Sequence, residues 1–156
     1  MANIPSVDYG LLVPIDIHFD QLDPYHVVYH THYLTLIDRA MHAHWNSKGL
    51  HAADEENGPD SFQLVREVTI TYERPIRRDG RVWAHVWVES VGTTSYTHGF
   101  RLLSPDGTKQ YAHGKRVLIK VDPSTQRPAP WSDEARAVLG ELLCQPALVS
   151  TAMSLS

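Results

Sequence analysis

Cysteine is almost absent from this chain. Cys144 is the single one in 156 residues, which excludes an intrachain disulfide framework and any metal knuckle built from several thiolates. With no motif around it, it reads as a reduced bystander thiol. Long apolar runs are missing too: nothing approaches the ~20 residues of a membrane-crossing helix, and the opening MANIPSVDYG has no basic stretch followed by an apolar one. A cytoplasmic protein with no membrane partner is the expectation. Positive charge is not in excess, since 14 Lys and Arg stand against 18 Asp and Glu for a net charge of -4. No nucleic-acid partner is therefore expected, although local basic spots can still hold phosphates. Internal repeats and low-complexity segments are also lacking.

What is present suits one domain with a sizeable core, placed at residues 1–144, with 145–156 as a loose tail of small, unpatterned residues. The chemistry concentrates between Ile15 and Gly49. Ile15, Ile17 and Phe19 alternate with Asp16, His18 and Asp20, the two-residue period of a half-buried strand that begins at Leu11. Asp23-Pro24 breaks it, because proline fixes its own φ and keeps the preceding residue out of the helical region. After Val27, Val28 and Tyr29 the period becomes helical, with Tyr33, Leu34, Ile37, Ala40, Met41, His44 and Trp45 on one face and Gly49 as a stop. A carboxylate thus sits in a turn just before a long buried helix, whose unpaired N–H groups favour developing negative charge.

Residues 50–60 turn polar around Asn57-Gly58-Pro59 and read as a connector or a lid. Four strand-like runs follow: 62–72, 81–91, 93–103 and 110–121. The second alternates cleanly, with Val82, Ala84, Val86 and Val88 opposite Trp83, His85, Trp87 and Glu89. Ser104-Pro105-Asp106-Gly107 is the turn of a hairpin. Short connections imply antiparallel pairing. A short helix starts at Ser132 as N-cap, with Asp133 and Glu134 in its first turn and Ala135, Val138 and Leu139 on its apolar side. The fold class is α+β: an antiparallel sheet wrapped round one long helix.

With that order established, the run Asp23-Pro24-Tyr25-His26-Val27-Val28-Tyr29-His30-Thr31-His32-Tyr33-Leu34 resembles the signature of hotdog-fold acyl-CoA thioesterases of the 4-hydroxybenzoyl-CoA thioesterase type. Ile70-Thr71-Tyr72-Glu73-Arg74-Pro75 is similar to that family's tyrosine-x-x-proline strand end, Gly92 to Tyr96 to the start of a later strand, and Val117 to Asp122 to its last strand. The resemblance spans roughly residues 11–143. It implies a hotdog fold, homodimers or homotetramers with the site at the subunit interface, and hydrolysis of an acyl-CoA or acyl-carrier-protein thioester. It implies Asp23 as nucleophile or general base, and His30 as oxyanion donor through its backbone N–H and catalytic assistant through its side chain. No cofactor is implied beyond the coenzyme A that the substrate carries.

The sequence departs from the family pattern where Tyr25 and His26 replace small residues, where His32 precedes the Tyr-Leu pair, and where Phe19 stands in place of a tyrosine found in some members. Tyr25, His26 and Tyr29 are candidate substrate-binding residues, and Arg77, Arg78, Lys115 and Arg116 candidate contacts to the phosphates of coenzyme A. Bulk at Tyr25 and His26 leaves open a second reading, a hotdog domain that binds acyl thioesters or a protein partner without turning them over. A hotdog dehydratase is a third, disfavoured because the acid sits in the thioesterase-like turn. Each candidate also has a plainer reading: Asp23 as a turn residue, Asp20, Asp38 and Arg39 as solvated or paired groups, Trp83 and Trp87 as packing. The histidines 26, 30 and 32 cluster, and 42 and 44 follow. On a helix, however, ligands of one face come three or four apart, and 30 to 32 and 42 to 44 point to different sides, so no metal site is expected.

Overall fold

The computed structural model of the chain describes residues 4–50, 60 and 62–144. Its elements are β1 (Leu11–Ile17), a 3-10 turn (Phe19–Gln21), α1 (His32–Ser47), β2 (Gln63–Tyr72), β3 (Gly80–Val91), β4 (Ser95–Leu103), β5 (Gln110–Lys120) and α2 (Asp133–Glu141). The five strands form one sheet in the order β1-β3-β4-β5-β2, antiparallel at every pairing. Among the described residues no helix is long and apolar enough to cross a membrane.

Alternation in β3 decides which face of the sheet is inside. Val82, Ala84, Val86 and Val88 are buried together with α1 residues Tyr33, Leu36, Ile37, Ala40, Met41 and Trp45, and each large aliphatic side chain so removed from water contributes roughly 2 kcal/mol. Leu36, fully buried, is an addition to the apolar stripe read from the sequence. Leu34 and His44 are only half-buried. A helix gripped by a curled sheet buries a wider arc than one stripe. α2 begins as expected, with Ser132 Oγ accepting from Ala135 N–H at 3.1 Å.

Three features differ from the sequence reading. The first strand ends at Ile17, and the 3-10 turn swings Phe19 out to 78% exposure, so it does not continue the apolar face of Ile15 and Ile17. β2 does not pair with β3. It crosses to the far edge of the sheet and pairs with β5, while β1 takes the free edge of β3. A register shift between Val65 and Glu67 marks a bulge in β2, and Leu64, Val65, Val68 and Tyr72 remain exposed along this edge strand.

The tail 145–156 and nearly all of the 50–60 loop lie outside the described residues. Asp60 at the loop's end is buried, accepting from Lys120 Nζ and Ser132 N–H, both at 3.0 Å. Burial pushes its carboxyl up, but hydrogen bonds from the Ser132 hydroxyl and N–H and then from Lys120 outweigh it and hold the pKa below the usual range.

Candidate active site

An antiparallel bridge between Leu22 and Val28 closes the loop that carries Asp23. Inside it, Asp23 N–H donates to the Val27 carbonyl at 2.8 Å and His26 N–H to the Asp23 carbonyl at 2.9 Å. The latter closes a four-residue turn with Pro24 in the second position, where its fixed φ fits. The Asp23 side chain completes the structure: Oδ1 accepts from Tyr25 N–H at 2.8 Å and from Val27 N–H at 3.4 Å. Oδ2 has no partner among the described residues. His26 closes the turn at φ 62°, the left-handed conformation that glycine adopts freely.

Asp23 lines an open cleft of about 340 Å³ together with Tyr29, His30, Tyr33, Tyr72 and Arg74. His30 precedes Thr31, the N-cap of α1, and Thr31 makes no side-chain capping bond. His32 N–H and Tyr33 N–H donate back to Tyr29 and His30 carbonyls at 2.9 and 3.3 Å. The N–H groups of Thr31, the N-cap, and of His30, one residue before it, have no acceptor among the described residues, and that of the cap is one a helix start ordinarily leaves open. The His30 ring lies 4.5 Å from that of Tyr29 and 6.1 Å from that of Tyr72. One cleft therefore brings together two carboxylates, Asp23 with one oxygen unpartnered among the described residues and Glu73 paired with His113, an imidazole and the positive end of a helix.

A second cleft, about 720 Å³, adjoins the first, sharing Arg74 and Pro75 with it. Its rim carries Arg74, Arg77, Arg78, Arg81 and Lys109 against one acid, Asp79. Arg81 is paired with Asp16 at 3.1 Å, Arg74 lies in the field of Glu73, and Arg77, Arg78 and Lys109 have no carboxylate partner among the described residues.

The comparisons with known proteins bear on this arrangement. The family described as the thioesterase superfamily matches residues 25–110, more than half of the chain. The chain belongs to the thioesterase superfamily. No curated protein matches it significantly by sequence. Among solved structures, it is similar to a protein from Pseudomonas aeruginosa at 23% identity and TM-score 0.77, covering 88% of this chain and 94% of that one. A 1,4-dihydroxy-2-naphthoyl-CoA thioesterase from Synechocystis matches at 12% identity and TM-score 0.76, covering 85% and 96%. A thioesterase from Thermus thermophilus, solved with coenzyme A and zinc, matches at 22% identity and TM-score 0.67, covering 85% and 96%. The α+β hotdog architecture is thus that of solved thioesterases.

Within this superfamily member, not every candidate reaches the cleft. Asp23, Tyr29 and His30 line it; Tyr25, 84% exposed, and His26 do not. Arg77 and Arg78 line the cationic cleft. Lys115 and Arg116, adjacent on β5, point to opposite faces of the sheet. Lys115 pairs with Glu89 at 3.0 Å, while Arg116 is buried, pairing with Asp38 at 2.6 Å and donating through Nε to His98 Nε2 at 3.0 Å. They do not form a joint phosphate site. Arg116 and Asp38 instead line a third cleft, about 390 Å³, with Met41, Trp45, Tyr96 and Leu118. Among the described residues no cluster of His, Cys, Asp and Glu has the arrangement of a metal site.

Tyr72, Arg74 and Lys109 were not singled out from the sequence. Tyr72 and Arg74 belong to the tyrosine-x-x-proline motif at the end of β2, and this motif was the available signal. Lys109 gives none, because only the β4–β5 hairpin brings it to the cleft that Arg77 and Arg78 line.

Proposed function

We propose that this chain hydrolyses acyl-CoA thioesters, with Asp23 acting on the thioester carbonyl and the His30 N–H receiving its oxygen. The observation that carries this reading is the single cleft lined by both Asp23 and the amide end of α1. Attack on a thioester places negative charge on the carbonyl oxygen, and amides fixed at a helix terminus stabilise that charge without reorganising, each by about 3 kcal/mol. Asp23 Oδ1 is held by its own turn, which leaves Oδ2 for chemistry. As nucleophile, Oδ2 bonds to the carbonyl carbon, the C–S bond breaks, and water then cleaves the acyl–Asp23 anhydride. As general base, it takes a proton from the water that bonds to the same carbon. In both routes the thiolate leaves and is protonated, and the His30 imidazole is the cleft's proton carrier.

Coenzyme A is favoured over a carrier protein as the handle, because the cationic cleft continues from the catalytic one through Arg74 and Pro75. Arginine matches phosphate oxygens in pairs. The non-catalytic alternative rested on obstruction by Tyr25 and His26, and neither residue lines the cleft. We also propose a homodimer joined along β2, an edge strand whose apolar side chains are exposed and whose backbone pairs on one side only. Light scattering of the purified protein checks the mass.

The activity itself is tested by following free thiol with a panel of aromatic and aliphatic acyl-CoAs. Turnover is expected, and its near-complete loss in Asp23→Asn. Turnover that survives this substitution removes the mechanism, and no turnover with any thioester supports the binding reading instead.

A further inference from the structure

The hydroxyl of Tyr72 donates to the carbonyl of His30 at 3.0 Å across 42 residues of sequence. We infer that Tyr72 is a positioning residue for the thioester carbonyl: its hydroxyl fixes the peptide unit between His30 and Thr31, and so holds in place the His30 backbone that carries the proposed oxyanion donor. This rests on the functional reading above.

The turn into α1 has little local support. Thr31 supplies no side-chain cap, and no acidic residue occupies the first turn. Its one other hold on the His30 carbonyl is Tyr33 N–H at 3.3 Å. A carbonyl that accepts two donors polarises its own amide, and the N–H of that amide belongs to Thr31. The His30 N–H lies in the preceding peptide plane, so the Tyr72 bond steadies it only through the position of the His30 backbone and not through its direction. The hold comes from a rigid source, since Tyr72 is the last residue of β2, paired opposite Ala112. Its ring packs edge-on against Tyr33 at 5.0 Å and His30 at 6.1 Å. Just beyond it, Ile76 N–H donates to Tyr33 Oη at 3.4 Å and the Ile76 carbonyl accepts from Val28 N–H at 2.8 Å. Segment 72–76 therefore grips residues 28–33 at three points, of which the Tyr72 bond is the one made to the backbone of His30. Partial burial raises the Tyr72 pKa, so its hydroxyl remains a donor through neutral pH.

Tyr72→Phe keeps the ring and deletes the donor. With the acyl-CoA that the wild-type protein hydrolyses fastest, kcat is expected to fall about tenfold with KM within about twofold, since misplacing a transition-state donor affects the chemical step more than ground-state binding. The melting temperature is measured on the same samples, and the Thr31 amide proton is expected to move upfield in a proton–nitrogen correlation spectrum as its amide loses polarisation. An unchanged kcat, or a fall that vanishes when corrected for the folded fraction, overturns the assignment while leaving the functional reading standing. A wild-type protein without thioesterase activity overturns both.

Discussion

Asp23 and Tyr25 are joined by a 2.8 Å hydrogen bond from the Tyr25 backbone N–H to Asp23 Oδ1, so the proposed catalytic carboxylate is also a structural member of its own turn. The two roles separate by substitution. Asparagine retains an acceptor at Oδ1 and removes the charge: Asp23→Asn is expected to lower kcat by roughly three orders of magnitude with little change in melting temperature. Asp23→Ala removes the acceptor as well, and its stability in urea is expected to fall by about a further 1 kcal/mol. A stable but inactive Asn variant beside a destabilised, inactive Ala variant is the pattern to look for.

His26 holds φ 62° without the freedom of glycine. A non-glycine residue there costs on the order of 1 kcal/mol in strain, partly offset in a glycine variant by greater freedom of the unfolded chain. His26→Gly is expected to raise stability by about 0.5 kcal/mol. His26→Val, with a branched Cβ that tolerates positive φ poorly, is expected to lower it by more than about 1 kcal/mol. Urea denaturation of the two variants should move in opposite directions.

Much of this site was legible in the sequence, because its parts are local. A proline after an acid, and a change from two-residue to helical period, place Asp23 before α1 whatever the rest of the chain does. The partners of that turn were not legible, because they arrive through the sheet order. β2 crosses to the edge beyond β5, and its end brings Tyr72 and Arg74 against residues 28–33, a contact set by topology rather than by any spacing in the chain. Lys115 and Arg116 show the reverse: adjacency in sequence suggested a pair, yet adjacent strand residues face opposite ways. The Gly99 position was equally silent. A Cβ there would stand 2.4 Å from the Trp87 ring, so glycine is required by a tryptophan lying across the neighbouring strand.

Arg77 and Arg78 sit on the cationic cleft with no carboxylate partner among the described residues. Arg77→Ala and Arg78→Ala are each expected to raise KM for an acyl-CoA by about fivefold with kcat little changed, and the wild-type KM should itself rise with ionic strength. An N-acetylcysteamine thioester of the same acyl group carries no phosphate, so its KM should respond to neither substitution nor salt. Equal effects on both substrates would place the phosphates elsewhere.

His98 gives the stability of the fold an acid limit. It is fully buried on β4, accepts from Arg116 Nε at 3.0 Å, and its Nδ1 makes no hydrogen bond of good geometry among the described residues. Burial first, and then the adjoining Arg116 guanidinium, push its pKa down to about 3, the Gly99 backbone beside it partly opposing the shift, with Asp38 standing beyond Arg116 as that cation's counter-charge. The unfolded chain therefore takes up a proton near the ordinary histidine value that the folded chain refuses until about pH 3. Neutral His98 supports the fold fully above the ordinary value, and that support is lost as pH falls through the window, by about 1.4 kcal/mol per pH unit at most. His44 and His85, also lowered by burial, act in the same direction, so wild-type acid sensitivity alone does not isolate His98. His98→Gln does, because glutamine keeps an acceptor for Arg116 and does not titrate. Between pH 7 and pH 4.5 the wild-type protein is expected to lose roughly 2 kcal/mol more unfolding free energy than the variant in urea titrations. Parallel losses in the two proteins would mean that His98 is not the group being protonated.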